Sequence, residues 1–213
     1  CPASAYGRSS RVRSFSSPWL FALALRLQPG PWTVASRGCR IVPAAPHAVI
    51  VGAVSKAIDR FLDAARVLGH PVEVRRFPEG TKTAPDAARA IGCEVGQIVK
   101  SLVFLADGEP VLALTSGANR VDERRLATLA GASGARRATP EEARAATGFA
   151  VGGTPPFGHP GPVRTFLDRD LLAFDEVWAA AGSPDAVFLT TPGELRGTAG
   201  ALVADLKETP SRG

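Results

Sequence analysis

Apolar residues recur at three- and four-residue steps through Val54, Ile58, Phe61, Leu62, Ala65 and Leu68. That spacing puts them on one face and predicts an amphipathic helix over 54–69, closed by Gly69. The alternating "VEVRRF" at 72–77 reads as a short strand, and "TAPDAARAIG" at 83–92 as a second helix, capped by Thr83 and stopped by Gly92. Two apolar β-type runs, "IVKSLVFLA" (98–106) and "PVLALTS" (110–116), flank Asp107-Gly108, a strong hairpin signal. Helices follow at 121–131 and 139–148, the latter with Thr139 at the cap, Pro140 in the first turn and Glu142 completing a capping box. "VRTFLD", "EVWAAAG" and "AVFLT" read as strands, "TPGELRGTAG" as a last helix and "ALVADL" as a last strand.

This order predicts an α+β fold with about four helices among six or seven strands. Regular β–α alternation is missing, which argues against a doubly wound parallel sheet. A curved, mixed and mostly antiparallel sheet with helices packed outside it fits the pattern.

Composition divides the chain near residue 50. Residues 1–50 hold six arginines and no acid, and their one apolar run, "PWLFALAL" at 18–25, is short. They read either as a basic targeting segment or as a disordered extension, with 51–213 as the domain. The whole chain carries +5, but residues 51–213 hold 19 basic against 20 acidic residues. Bulk charge therefore gives no support to nonspecific nucleic-acid binding by the domain. Any such contact must come from local clusters such as Arg120, Arg124, Arg125, Arg136 and Arg137. Cys1, Cys39 and Cys93, and His47, His70 and His159, lack metal-type spacing, so neither a metal nor a cofactor is expected. No stretch reaches the roughly 18 apolar residues of a membrane span.

Lys100 stands inside the first hairpin run, on the strand face of Ile98, Leu102 and Phe104, with Val99, Ser101, Val103 and Leu105 opposite. An ammonium there is either a snorkelling or edge-guarding lysine, or a cation at the floor of a pocket. "GFAVGGTPPFGHPGP" (148–162) offers glycines for close backbone approach, stiffened by prolines. The amides of Gly152, Gly153 and Thr154 precede Pro155-Pro156, and such a loop either presents oriented donors or is an ordinary turn. Asp185 follows a Gly-Ser-Pro turn; it is a catalytic carboxylate or a solvated one. His159 is a candidate base or an exposed loop histidine. No GxSxG, P-loop, HExxH or Rossmann fingerprint is present.

Taken in order, "AARAIGCEVGQIVKSLVF", "SGANRVDERRL", "TPEEARAATGFAVGGTPPFG", "VRTFLDRDLLAFDEVWAAAGSPDAVFLT" and "ELRGTAGALVADL" closely resemble the YbaK/EbsC family, over about residues 55–207. Its domain also occurs as the editing insertion of bacterial prolyl-tRNA synthetases. The resemblance implies a barrel-like sheet surrounded by helices and an aminoacyl-tRNA deacylase that hydrolyses mischarged tRNA in trans. It makes Lys100 the pocket lysine and Gly152 through Pro156 the G-x-x-x-P loop, with Gly152, Gly153 and Asp185 as catalytic candidates. Thr154, Pro155, Pro156 and Ser116 are then substrate-binding candidates, and Arg120, Arg124, Arg136 and Arg137 weaker tRNA contacts. Relatives often carry histidine where Asp185 stands, a departure that bears on amino-acid specificity.

The expected reaction is removal of a small amino acid (alanine, cysteine or serine) from tRNA-Pro or a related tRNA, in the cytoplasm or, if residues 1–50 target the chain, in an organelle. Aminoacyl-tRNA is the expected partner, with a synthetase as a further one. Two rivals stand beside this reading: a non-catalytic tRNA- or synthetase-binding module, and a Schiff-base enzyme acting through Lys100.

Overall fold

Helix α1 (Lys56–Val67) starts where Ser55 accepts the Ile58 amide and turns Ile58, Phe61 and Ala65 inward. A computed structural model describes residues 55–77 and 83–209; the 1–50 segment, its apolar run 18–25 and Val54 lie outside the described residues. Burying side chains such as Ile58 and Phe61 contributes roughly 1.5–3 kcal/mol each. Strand β1 (Val74–Arg76) and helix α2 (Ala84–Ile91) follow, α2 capped by the Thr83 hydroxyl and ended by left-handed Gly92. A 3-10 turn at Val95–Gln97 leads into the central hairpin, β2 (Ile98–Ala106) and β3 (Glu109–Ser116). Asp107 and Gly108 both take positive φ at its turn, 48° and 90°, the geometry that Asp-Gly favours.

Beyond the hairpin lie α3 (Glu123–Ala130), β4 (Ala135–Arg137), α4 (Pro140–Thr147) and β5 (Arg164–Asp168). A second 3-10 turn at Arg169–Ala173 precedes β6 (Val177–Ala180), β7 (Ala186–Thr190), α5 (Pro192–Thr198) and β8 (Leu202–Ala204). The described residues thus hold five α-helices, each at a segment that the pattern marks as a helix, and eight strands, one more than it marks. The strand that periodicity misses is β4, three residues reading Ala-Arg-Arg, too short and too basic to show alternation.

The sheet is mixed. Its order is β1-β7-β6-β2-β3-β5-β8, with β4 pairing β2 off that path. Pairings β2–β6, β3–β5 and β5–β8 are parallel and the others antiparallel. The ladder has two ends, so hydrogen bonding does not close it into a barrel. One face carries Val99, Val103, Leu112, Leu114 and Phe188 against Ile58 and Phe61 of α1. The other is covered in two parts: Phe104, Val111 and Phe166 pack with Leu126 of α3, while Ile98 and Trp178 pack with Ala87 and Ala88 of α2.

Helix α4 shows the capping box in full. Glu142 donates its amide to the Thr139 hydroxyl, and its carboxylate accepts the Thr139 amide and both terminal nitrogens of Arg136. Those donors, Arg136 first, pull the Glu142 pKa down to about 2. A depressed acid favours the folded state above its unfolded value of 4.5 and loses that contribution as pH falls toward 2. Stability should therefore decline through this window in acid denaturation curves, and Glu142→Gln should flatten that part of the curve.

Candidate active site

Strand β2 is paired with β3 along its whole length from Val99, but its opposite edge is interrupted. There β6 pairs only Ile98 and Val99, and β4 only Phe104 to Ala106. The Ala138 amide reaches the Val103 carbonyl as the chain leaves β4. Lys100, Ser101 and Leu102 are left at a gap in the sheet, and all three are part-buried. Ser101 and Lys100 flank this gap from opposite faces of the strand.

On the α1 side of this gap is a cavity of about 210 Å³, lined by Ser101, Val103, Arg137, Ala138, Val151 and Thr154 among others. The Ser101 hydroxyl is the one buried side-chain polar atom without a hydrogen-bond partner among the described residues. On the other side stands Lys100. Its ammonium donates to the Gly117 carbonyl at 3.2 Å and to the Asn119 carbonyl. An ammonium has three N–H donors, so one remains available. Burial, then the nearby Arg137 guanidinium, pushes the Lys100 pKa below the ordinary lysine value, while Asp168 works against the fall. Arg137 lines the cavity and lies over the Phe104 ring at 5.7 Å, so two cations flank the opening.

The Gly-Pro loop is strung between two core phenylalanines. Phe149 precedes it, under the Arg60 guanidinium at 4.2 Å; Phe157 follows it, 5.2 Å from Phe61 and 5.9 Å from Phe188. Thr154, Pro155 and Pro156 are buried, while Val151 and Gly152 are exposed. Thr154 lines the cavity, and the Pro155 carbonyl meets His159. The Gly153 amide donates to the Ala150 carbonyl at 3.1 Å, so it is not the available donor that the sequence suggested. Within the described residues the amides of Gly152 and Thr154 make no hydrogen bond.

Gly153 lies against the β6–β7 turn so closely that a Cβ would stand 2.6 Å from the Ser183 Cα. In that turn Asp185 accepts two bonds from Arg76, at 3.0 and 2.7 Å, and one from the Ser183 hydroxyl at 2.6 Å. Burial tends to raise the Asp185 pKa, but the Ser183 and Arg76 donors together hold it below the usual value. The aspartate thus ties β1 to the turn that backs the loop.

Four further candidates have settled partners. The Ser116 hydroxyl donates to the Gly96 carbonyl at 2.8 Å, a scaffold bond that leaves it buried. His159 Nε2 contacts the Pro155 carbonyl at 3.0 Å and the ring is largely covered, which lowers its pKa. It staples the loop. Arg136 belongs to Glu142, and Arg125 to Asp205 and Thr209. Arg120 and Arg124 line a wide, open groove of about 790 Å³ with Asn119 and Lys207, and form no ion pair among the described residues.

Comparison with known proteins agrees with this geometry. The family model described as the aminoacyl-tRNA editing domain matches residues 78–198, more than half of the chain. The chain belongs to the aminoacyl-tRNA editing domain family. A proline–tRNA ligase of Nitratidesulfovibrio vulgaris is 35% identical over 128 residues, which cover 60% of this chain and 22% of the ligase. The chain thus spans about a fifth of that curated relative. The uncharacterized protein YwhH of Bacillus subtilis is 33% identical over 124 residues, 58% of this chain and 78% of YwhH. A crystal structure of a candidate trans-editing enzyme for prolyl tRNA synthetase superposes with a TM-score of 0.70 at 49% identity, covering 73% of this chain and 99% of that one.

Sequence reasoning passed over two residues beside Lys100. Ser101 was placed on the correct strand face but read as core. Asp168 was read only as a strand end, yet it is fully buried behind Lys100.

Proposed function

We propose that this editing domain is a trans-editing aminoacyl-tRNA deacylase that removes a small amino acid from a mischarged tRNA. The observation that carries the reading is the half-buried Lys100 at the interrupted edge of β2, next in sequence to Ser101, which lines a cavity of about 210 Å³ on the opposite face of the strand. That volume falls below the roughly 300–1,000 Å³ of ordinary small-molecule pockets, which favours a short side chain such as that of alanine, cysteine or serine. Selection by size is what editing needs, because a hydrophobic pocket separates amino acids by only about 1–3 kcal/mol per methylene.

Water adds to the ester carbonyl carbon, and the π pair moves onto oxygen. Lys100, with the free amides of Gly152 and Thr154, stabilises that oxyanion. Preorganised donors of this kind supply the largest part of catalysis in many acyl-transfer sites. The carbonyl re-forms as the bond to the terminal ribose oxygen breaks, and that oxygen takes up the proton given up by water. His159 meets the Pro155 carbonyl and His70 the Thr190 hydroxyl, and the part assigned to the protein is positioning and electrostatics.

Arg120 and Arg124, lacking ion-pair partners along the open groove, are the arginines best placed to meet tRNA phosphates. The similarity to a proline–tRNA ligase makes tRNA-Pro the first tRNA to offer and a prolyl-tRNA synthetase the first protein partner. No helix among the described residues is long and apolar enough to cross a membrane, and the reaction belongs wherever the chain meets charged tRNA, the cytoplasm first. The test is a deacylation panel in which the full chain is offered alanyl-, cysteinyl-, seryl- and prolyl-tRNA-Pro. One mispaired ester should be hydrolysed well above its spontaneous rate while prolyl-tRNA persists. No acceleration of any ester would remove the catalytic reading and leave a binding module.

A further inference from the structure

Behind Lys100, on the same face of the sheet, is a polar network that hydrolysis as described does not use. Lys100 pairs with Thr115 across the hairpin. The Thr115 hydroxyl, the Ser116 amide and the Asn119 side-chain amide all donate to Asp168 Oδ2, at 2.9, 3.1 and 2.8 Å. The Asp170 amide donates to Asp168 Oδ1 at 3.2 Å. Asn119 gives a further bond to Asp170, at 3.0 Å, and Asp170 in turn accepts from Lys207 at 2.8 Å. Through its own carbonyl, the same Asn119 holds the Lys100 ammonium.

Asp168 is 0% exposed. A buried carboxylate costs several kcal/mol unless charges and hydrogen bonds compensate it. No Lys or Arg forms an ion pair with it among the described residues. Its four donors are neutral groups, and Lys100 is close enough for the two charges to interact. The arrangement therefore works in both directions: the ammonium offsets the buried carboxylate, and the carboxylate, through Asn119, fixes the loop that holds the ammonium.

We infer that Asp168 and Asn119 are positioning residues for Lys100, a linked anion and bridge that keep its amine charged and aimed at the gap in the sheet. This inference rests on the deacylase reading for its catalytic consequence but not for its electrostatic one. The charged groups around Lys100 are Arg137 from β4, Arg120 from the loop before α3 and Asp168 from β5, with Asp170 and Lys207 beyond Asn119. Arg137 and Arg120 both favour the neutral amine, and Asp168 opposes them.

The experiment is an NMR pH titration of the lysine side chains in the full chain. The chain has four lysines, so Lys100 can be assigned from the resonance lost in Lys100→Arg. In Asp168→Asn the Lys100 midpoint should move to lower pH, and the alkaline limb of the deacylation profile should move with it. Asn119→Ala keeps every charge and removes the bridge. It should lower kcat about 10- to 100-fold while KM stays within about twofold, as expected when a catalytic group is misplaced and binding is not. Should Asp168→Asn fail to fold, the kcat-against-KM split in Asn119→Ala decides. A Lys100 midpoint unmoved in folded Asp168→Asn, or an Asn119→Ala protein with unchanged kcat, overturns the inference. Deacylation surviving in Lys100→Ala overturns the functional reading instead, and the NMR midpoints would still report the coupling.

Discussion

Lys100→Ala should lose deacylation by on the order of 100- to 1000-fold, the usual consequence of removing one preorganised oxyanion donor. The loss should fall on kcat, since the amine meets charge that develops only after water has added. Stability should fall as well, though it cannot account for a loss confined to kcat. Removing the ammonium relieves its own desolvation but frees the Gly117 and Asn119 carbonyls and leaves the buried Asp168 carboxylate without the cation that offsets it. Single-turnover deacylation beside a thermal melt separates the two effects. A variant that melts normally and still hydrolyses the ester at the parental rate would mean that the reaction does not depend on this amine.

Gly153→Ala should be the second most damaging change, for a steric reason. A Cβ at this position would come within 2.6 to 2.9 Å of three backbone atoms of Ser183, and backbone cannot swing aside as a flexible side chain can. Overpacking of this kind costs about 1–3 kcal/mol. The turn it meets is anchored by Asp185 to Arg76 and the loop by Phe149 and Phe157 to the core, so the strain has to shift one of them. A displacement of about 1 Å can lower the rate about 100-fold. Gly193→Ala, whose Cβ would find its nearest neighbour at 4.0 Å, provides the tolerant control. Equal activity and equal melting of the two variants would show that the loop has slack that this packing denies it.

Local signals in the sequence carry the elements of the fold well. Asp107-Gly108 marks its hairpin because the turn needs positive φ at both positions, and Thr139 with Glu142 marks a helix start through bonds that span three residues. The gap at Lys100 is of another kind. It exists because two strands from distant parts of the chain, β4 and β6, stop short of each other along β2, and no pattern within β2 records where its neighbours end. For the same reason a lysine in an apolar strand was legible as unusual, but its partners at Gly117 and Asn119 were not. Asp185 and His159 were read as chemistry or as solvent-facing polar groups. In the fold Asp185 bonds Arg76 and His159 meets the Pro155 carbonyl, contacts that no periodic pattern records.

Helix α1 precedes the stretch matched by the family model, yet it touches both the loop and the β6–β7 turn behind it. Arg60 bonds the Gly148 carbonyl, a Cβ on Gly158 would press Ala64, and one on Gly182 would strike the Ala57 carbonyl. A protein trimmed to start at residue 78 would keep every proposed catalytic group and lose the brace beneath them. Choosing where to cut this chain for expression is thus a decision about catalysis as much as about solubility.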